Sequence, residues 1–304
     1  MKKKGINLII ILLLAAGIFI LFYPYATAYE TESVKKKMIA QFKEENVVDD
    51  NGDTDTTSSL GKDQLYTDML TYNKIIYENG QIDLVDPFSY ETTAFNLSEH
   101  GIEDEIFGII SIPKLNVELP ILLGASKVHM EKGAANLGNT SIPIGGNNTN
   151  AVLAAHRGYK GLAMFRDIEA IELGDEIYIT NLWETLAYKV VEIKVILPTN
   201  VREIYIREGR DMVTLITCHP YTQNDQRYVV YCERTADEKE PTKESDTGLE
   251  FSYLFKLSKL SKSQRLIFAE KWIPIGIAVI LLIAAVSRVT LKRKHNRKEG
   301  KPPY

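Results

Sequence analysis

Between residues 107 and 233 the chain alternates short apolar runs with clusters of Gly, Pro and Asn. The runs are "FGIISIP", "VELPILLG", "AVLAAH", "DEIYIT", "LAYKVVEIKVIL", "MVTLITC" and "RYVVYCE", each rich in β-branched and aromatic residues. Such side chains suit a pleated surface, and the punctuation between them marks turns, so each run is expected to be a strand. Seven or eight strands over about 125 residues predict a closed barrel or a sandwich. Upstream, "SLGKDQLYTDMLTYNKIIYENG" places Leu65, Met69, Tyr72, Ile75 and Ile76 at helical spacing, with Gly80 as the stop. A second short helix, an insertion ending at Gly174, is expected from "YKGLAMFRDIEAIELG". Residues 30–60 are polar and read as a solvated linker. A calcium loop is excluded there, because Gly52 as its sixth position puts the apolar Val47 at the first ligand.

Two longer apolar stretches lie at the ends. After Met1-Lys2-Lys3-Lys4 there is no charge from Gly5 to Tyr29, a length that spans a bilayer core of roughly 30 Å as a helix. "WIPIGIAVILLIAAVS" runs uncharged between Lys271 and Arg288, and a strongly basic tail follows. Both stretches carry their positive flank on the side away from the middle of the chain. The positive-inside rule then puts both termini in the cytoplasm and residues 30–271 outside the cell membrane. The first stretch has a competing reading as a cleaved signal peptide, with Ala26-Thr27-Ala28 as the cleavage pattern. The second competes with a buried core helix, a reading that the basic tail disfavours.

Composition adds exclusions. The 304 residues carry a net charge of −4, which gives no electrostatic basis for nucleic-acid binding. Both cysteines, Cys218 and Cys232, fall in "TLITCHPYTQNDQRYVVYCERT". An exported chain with two cysteines often pairs them. If the last two strands form a hairpin in which Cys218 opposes Cys232, a disulfide is possible. If Cys218 instead lies beside Arg227, Cys232 faces the other side of the sheet, because a slip of one residue flips every side chain. The second register puts a cation beside a thiol at a strand end, a place suited to a reactive group.

A working thiol needs a proton partner. Among the five histidines, His295 lies in the basic tail, and His100 and His129 sit in polar stretches as plain surface residues. His219 adjoins Cys218, but successive strand residues point to opposite faces. His156 ends the apolar run "AVLAAH", a strand-end position like that of Cys218, and is either the partner or a structural histidine.

Taken in order, "AVLAAHRGY", "MFRDIEAIELGDEIYI" and "VTLITCHPYTQNDQRYVV" resemble the sortases of Gram-positive bacteria. The shared set is a His after a buried strand, TLxTC at Thr214–Cys218 and an Arg opening the next strand. The resemblance implies a mainly β fold, a closed eight-stranded β-barrel. It implies that Cys218 is the nucleophile, His156 the general acid/base and Arg227 the oxyanion- or substrate-binding residue. It brings no cofactor or metal. Among sortases the chain looks most like class C, the pilin polymerases. The Cys-to-Arg spacing is nine, an apolar run follows the barrel, and "LVDPFSY" holds Asp86-Pro87-Phe88, which resembles the lid of that class. As a bare tripeptide, Asp86-Pro87-Phe88 also reads as an ordinary turn.

The chain departs from class C at His219, Gln226 and Cys232. These departures leave open which pilin it handles.

The implied organisation is an N-terminal anchor or signal segment at 1–29, then linker, helix and lid at 30–104. The catalytic barrel occupies 105–235 and a charged linker with an amphipathic lead-in 236–271. A C-terminal membrane helix and basic tail occupy 272–304. The implied activity is cysteine transpeptidation. An LPxTG-like sorting signal of a pilin is cut between Thr and Gly through a thioester on Cys218, and the subunit is joined to a lysine amine of another pilin. The alternative is a housekeeping-type or minor-pilin-anchoring sortase acting on surface proteins. Outside the family, a cysteine protease and a disulfide-bonded scaffold remain as rival readings.

Overall fold

The computed structural model describes residues 29–44, 56–90, 106–159 and 162–235, with isolated positions in 17–27 and at 95, 97, 273, 276 and 277. Residues 22–246 form one compact unit. Most of both terminal apolar stretches, the 47–55 part of the rejected calcium loop, His100, His295 and the 236–271 segment lie outside the described residues. Among the described residues, no helix is long and apolar enough to cross a membrane.

Residues 29–44 are helical (α1) and bury Ile39 and Phe42 against Ile106 and Ile109. The linker expected over 30–60 is therefore helical in its first half. Two apolar positions three apart gave too weak a periodic signal among so many charges. The second helix, α2 (Thr56–Glu78), starts slightly earlier than its spacing suggests. It buries Leu65 and Met69 completely, whereas Ile75 is 48% exposed. Its inward stripe includes Asn73, whose Oδ1 accepts from the Ile142 amide (2.7 Å) while its Nδ2 donates to the Ile142 carbonyl (3.1 Å). Satisfied on both sides, this buried amide pins α2 to the barrel. Gly80 ends α2 as expected. Its φ of +70° is left-handed, and the Gln81 amide reaches back to the Ile76 carbonyl.

Eight strands follow: β1 (Ile106–Ile112), β2 (Val117–Leu123), β3 (Ala134–Asn136), β4 (Thr149–Ala154), β5 (Glu176–Thr180), β6 (Thr185–Ile196), β7 (Asp211–His219) and β8 (Gln226–Arg234). They close into a barrel in the order β1-β2-β3-β4-β7-β8-β6-β5. The β2/β3 and β4/β7 pairs are parallel and the rest antiparallel. Among the described residues, closure leaves no open strand edge.

β4 and β7 have near-continuous apolar sequences because both their faces are buried. Val213, Leu215, Val230 and Cys232 belong to the main core cluster, with Leu65 and Met69 of α2 in the same cluster. Ile216, Val229 and Tyr231 point the other way, into a second cluster with Leu84, Met130 and Ile204. The helical insertion expected before Gly174 is instead a series of turns with a short 3-10 segment at Ile168–Ala170. Phe165 and Ile168 are fully buried under the barrel wall, so their spacing reports burial and not a helix face.

Candidate active site

The β7/β8 register settles the cysteine question. Cys218 pairs directly with Arg227, and Cys232 pairs with Val213. Cys218 and Cys232 therefore face opposite sides of the barrel wall, and both are free thiols. The parallel β4/β7 ladder ends at Ala154↔Ile216, which carries His156 toward the level of Cys218 just beyond the last paired residues. Both threonines of TLxTC hold this ladder together. Thr214 donates to Asn150 Oδ1 (2.7 Å) and Thr217 to the Ala155 carbonyl (2.7 Å), and both are fully buried.

The Asp86-Pro87-Phe88 segment is a short 3-10 turn (Pro87–Ser89) seated on this corner. Asp86 Oδ1 accepts from Arg227 Nε and Asp86 Oδ2 from Nη2, each at 2.7 Å. Arg227 Nη1 donates to the carbonyls of Asn224 (3.0 Å) and Gln226 (2.8 Å). All three guanidinium nitrogens are thus engaged, and the residue is only 7% exposed. The Phe88 ring lies under the guanidinium, 4.7 Å from centroid to Cζ, and 6.1 Å from the His156 ring. His156 also stacks with Tyr159 at 5.0 Å and an interplanar angle of 19°. Phe88 therefore touches the elements that carry two of the three candidate catalytic residues.

Burial dominates the electrostatics. It pushes the Cys218 thiol up to about 11, and the Asp86 carboxylate adds to the rise, while Arg227 and Arg157 oppose it. Burial likewise lowers His156, against a weaker opposing pull from Glu131. With Asp86 in place, thiol and imidazole both rest neutral near pH 7. Cys232 is completely buried in apolar surroundings, which raises its thiol far above the ordinary range and makes it a packing residue.

Of the remaining histidines, His129 is half-buried and its Nδ1 contacts the Gly124 carbonyl (2.9 Å), closing the short helix α3 (Lys127–Lys132). His219 points away from the Cys218 side and meets Arg157 and Glu169. Those two residues, and Tyr159, were not singled out from the sequence. Their only signal was adjacency to the His156 motif in "HRGY" and to the core residues of "FRDIEAIE". Among the described residues no cluster of His, Cys, Asp or Glu could hold a metal ion.

Comparison with known proteins agrees with this geometry. The sortase domain model matches residues 110–235. The chain is 30% identical to sortase A of Bacillus anthracis over 159 residues, 52% of this chain and 74% of that one. Its fold superposes on sortase C1 of GBS pilus island 1 with a TM-score of 0.59 and 32% identity, covering 70% of this chain and 98% of that one. Streptococcus pneumoniae sortase C gives a TM-score of 0.58 at 27% identity, covering 67% of this chain and 99% of that one. A closed barrel of this order, the matching domain and the extent of the Bacillus alignment lead to one conclusion: the chain belongs to the sortase family of transpeptidases.

Proposed function

We propose that this chain is a pilin-joining transpeptidase in which Cys218 is the nucleophile, His156 the general acid/base and Arg227 the oxyanion-binding residue, with Asp86 and Phe88 as a lid. The observation that carries this reading is the direct pairing of Cys218 with Arg227 beneath Asp86 and Phe88. Similarity to pilus sortases C supports the choice of pilins as substrates.

A pilin's LPxTG-like sorting signal displaces the lid. Departure of Asp86 frees the Nε/Nη2 edge of Arg227 and removes a negative charge that disfavours the Cys218 thiolate. His156, neutral, takes the thiol proton as sulfur bonds to the Thr carbonyl carbon. The resulting oxyanion accepts from the freed Arg227 edge. The C–N bond to Gly then breaks, and His156 gives its proton to the departing amine. In the second half a lysine amine of another pilin attacks the thioester. His156 takes the amine proton, the C–S bond breaks, and the thiolate recovers the proton. One amide bond is exchanged for another, so no cofactor enters the balance. Water competes as the second nucleophile, which gives a lid a purpose.

The apolar runs at 5–29 and 272–287 anchor the enzyme in the cell membrane, with the catalytic domain extracellular and both termini cytoplasmic. Candidate pilins incubated with the full chain should yield a covalent product, mapped by mass spectrometry to a Thr–lysine isopeptide bond. A product joined to a peptidoglycan amine would favour the anchoring alternative. Cleavage alone, unchanged by added amine, would mark a protease and overturn the proposal.

A further inference from the structure

A compact charged cluster lies behind Cys218, on the side away from Arg227 and the lid. Arg157 follows His156 directly, and its side chain is only 3% exposed. Its Nη1 donates to the Cys218 carbonyl (3.3 Å) and contacts His219 Nδ1 (2.8 Å), while its Nη2 lies 2.5 Å from Glu169 Oε1. Glu169 Oε1 is also 3.2 Å from His219 Nδ1. Tyr228 covers the cluster, 5.5 Å from the His219 ring and 6.0 Å from the Arg157 guanidinium. Four elements meet here: the loop after β4, the Ile168–Ala170 turn, the end of β7 and the start of β8.

Burying a guanidinium is costly unless it is paired and hydrogen-bonded. Here it is placed between the loop that carries His156 and the backbone of the candidate nucleophile. We infer that Arg157 is a positioning residue for the transpeptidation reaction: it ties the His156 loop to the Cys218 carbonyl and holds a second, lid-independent positive charge beside the thiol. This inference rests on Cys218 being the nucleophile.

Division of labour follows from what each cation is bonded to. Arg227 is neutralised by Asp86 while the lid is seated. Arg157 is paired as closely with Glu169, but neither Glu169 nor His219 belongs to the lid, so its pull on the Cys218 thiol is the same whether the lid is seated or not. The contact with Arg157 Nη1 requires His219 Nδ1 to be the acceptor, hence neutral with its proton on Nε2. Burial and the Arg157 charge both lower the His219 pKa, consistent with that state, while Glu169 and Asp225 act in the opposite sense. The charged groups that act on the titration of the Cys218 thiol are Arg227 from β8 and Asp86 from the lid on its own side, and Arg157 from the β4 loop behind it.

The test is the pH–rate profile of Cys218 alkylation by iodoacetamide in the full chain. It is read by mass spectrometry on the peptide that contains Cys218, alongside kcat and KM for a sorting peptide. Arg157→Gln should move the alkylation midpoint upward by roughly half to one pH unit and lower kcat several-fold, with KM nearly unchanged. Arg157→Lys, which keeps the charge, should recover most of the midpoint. The double variant Arg157→Gln with Glu169→Gln removes both members of the buried pair, guards against misfolding, and should keep the raised midpoint. A wild-type midpoint in the double variant, or Arg157→Lys shifted as far as Arg157→Gln, would overturn the inference. Failure of the wild-type chain to form a thioester would instead sink the nucleophile assignment itself, so the two failures are distinguishable.

Discussion

The carboxylate of Asp86 grips the Nε/Nη2 edge of Arg227 in two hydrogen bonds of 2.7 Å, across 141 residues of sequence. A bidentate pair of this kind is among the stronger and more directional polar contacts a protein makes. It occupies the donors that a developing oxyanion would use. The same carboxylate raises the Cys218 thiol, so one residue weighs against both nucleophile and electrophile stabilisation.

Removing that carboxylate should therefore accelerate thiol chemistry. Asp86→Ala together with Phe88→Ala should lower the alkylation midpoint of Cys218 and speed its labelling on the order of tenfold at neutral pH, one unit of thiol pKa being a tenfold change in thiolate. Unchanged labelling kinetics would remove the support for gating.

The two thiols should separate cleanly. Cys218→Ala should abolish thioester capture of a sorting peptide. Cys232→Ala should retain capture while costing roughly 1–2 kcal/mol of stability, because it empties space in a fully packed interior. Intact mass should not change on reduction, since the two cysteines face opposite sides of the barrel. Loss of capture in Cys232→Ala alone would contradict the assignment.

Arg227→Lys should cost about 100-fold in kcat, the scale of removing one oxyanion donor. Lysine keeps the charge but not the planar fork that pairs with Asp86 and with the Asn224 and Gln226 carbonyls. The same variant should loosen the Asp86 segment, seen as faster proteolysis near residues 84–90. A variant with full turnover would exclude Arg227 from the mechanism.

Stability should fall at alkaline pH with a defined sign. The folded-state pKa of Cys218 is raised to about 11 from an ordinary thiol value of 9.0. Its contribution is complete below the unfolded value and is lost as pH rises through the folded one. The melting temperature of wild type relative to that of Cys218→Ala, followed from neutral pH to about 11, should fall as pH rises. Curves that stay parallel across that window would show that the thiol is not perturbed.

The barrel was largely legible in the sequence, because strand runs rich in β-branched residues and punctuated by Gly and Pro carry a local signal. Seven of the eight strands correspond to the quoted runs. The exception, β3, is three residues long and too short for any period to show. Spacing misled in two places. Ile75 sits in the helical stripe of α2 yet is exposed, while the polar Asn73 is buried. The turns at 162–174 imitate a helix because Phe165 and Ile168, three positions apart, both pack into the main core cluster.

By itself, the sequence determined the kinds of element, the stop at Gly80 and the family to which the TLITC and HRGY motifs point. It left the cysteine register open until resemblance was added, since both hairpin registers satisfied the same alternation. Only the tertiary structure decided that Cys218 stands opposite Arg227, that Asp86 closes on that arginine, and that Arg157, Glu169 and His219 meet behind the thiol. The physical reason is sequence separation. Periodicity reports which face of one element is buried, whereas these contacts join different elements, up to 141 residues apart for Asp86 and Arg227, and are set by strand register, barrel closure and charge pairing.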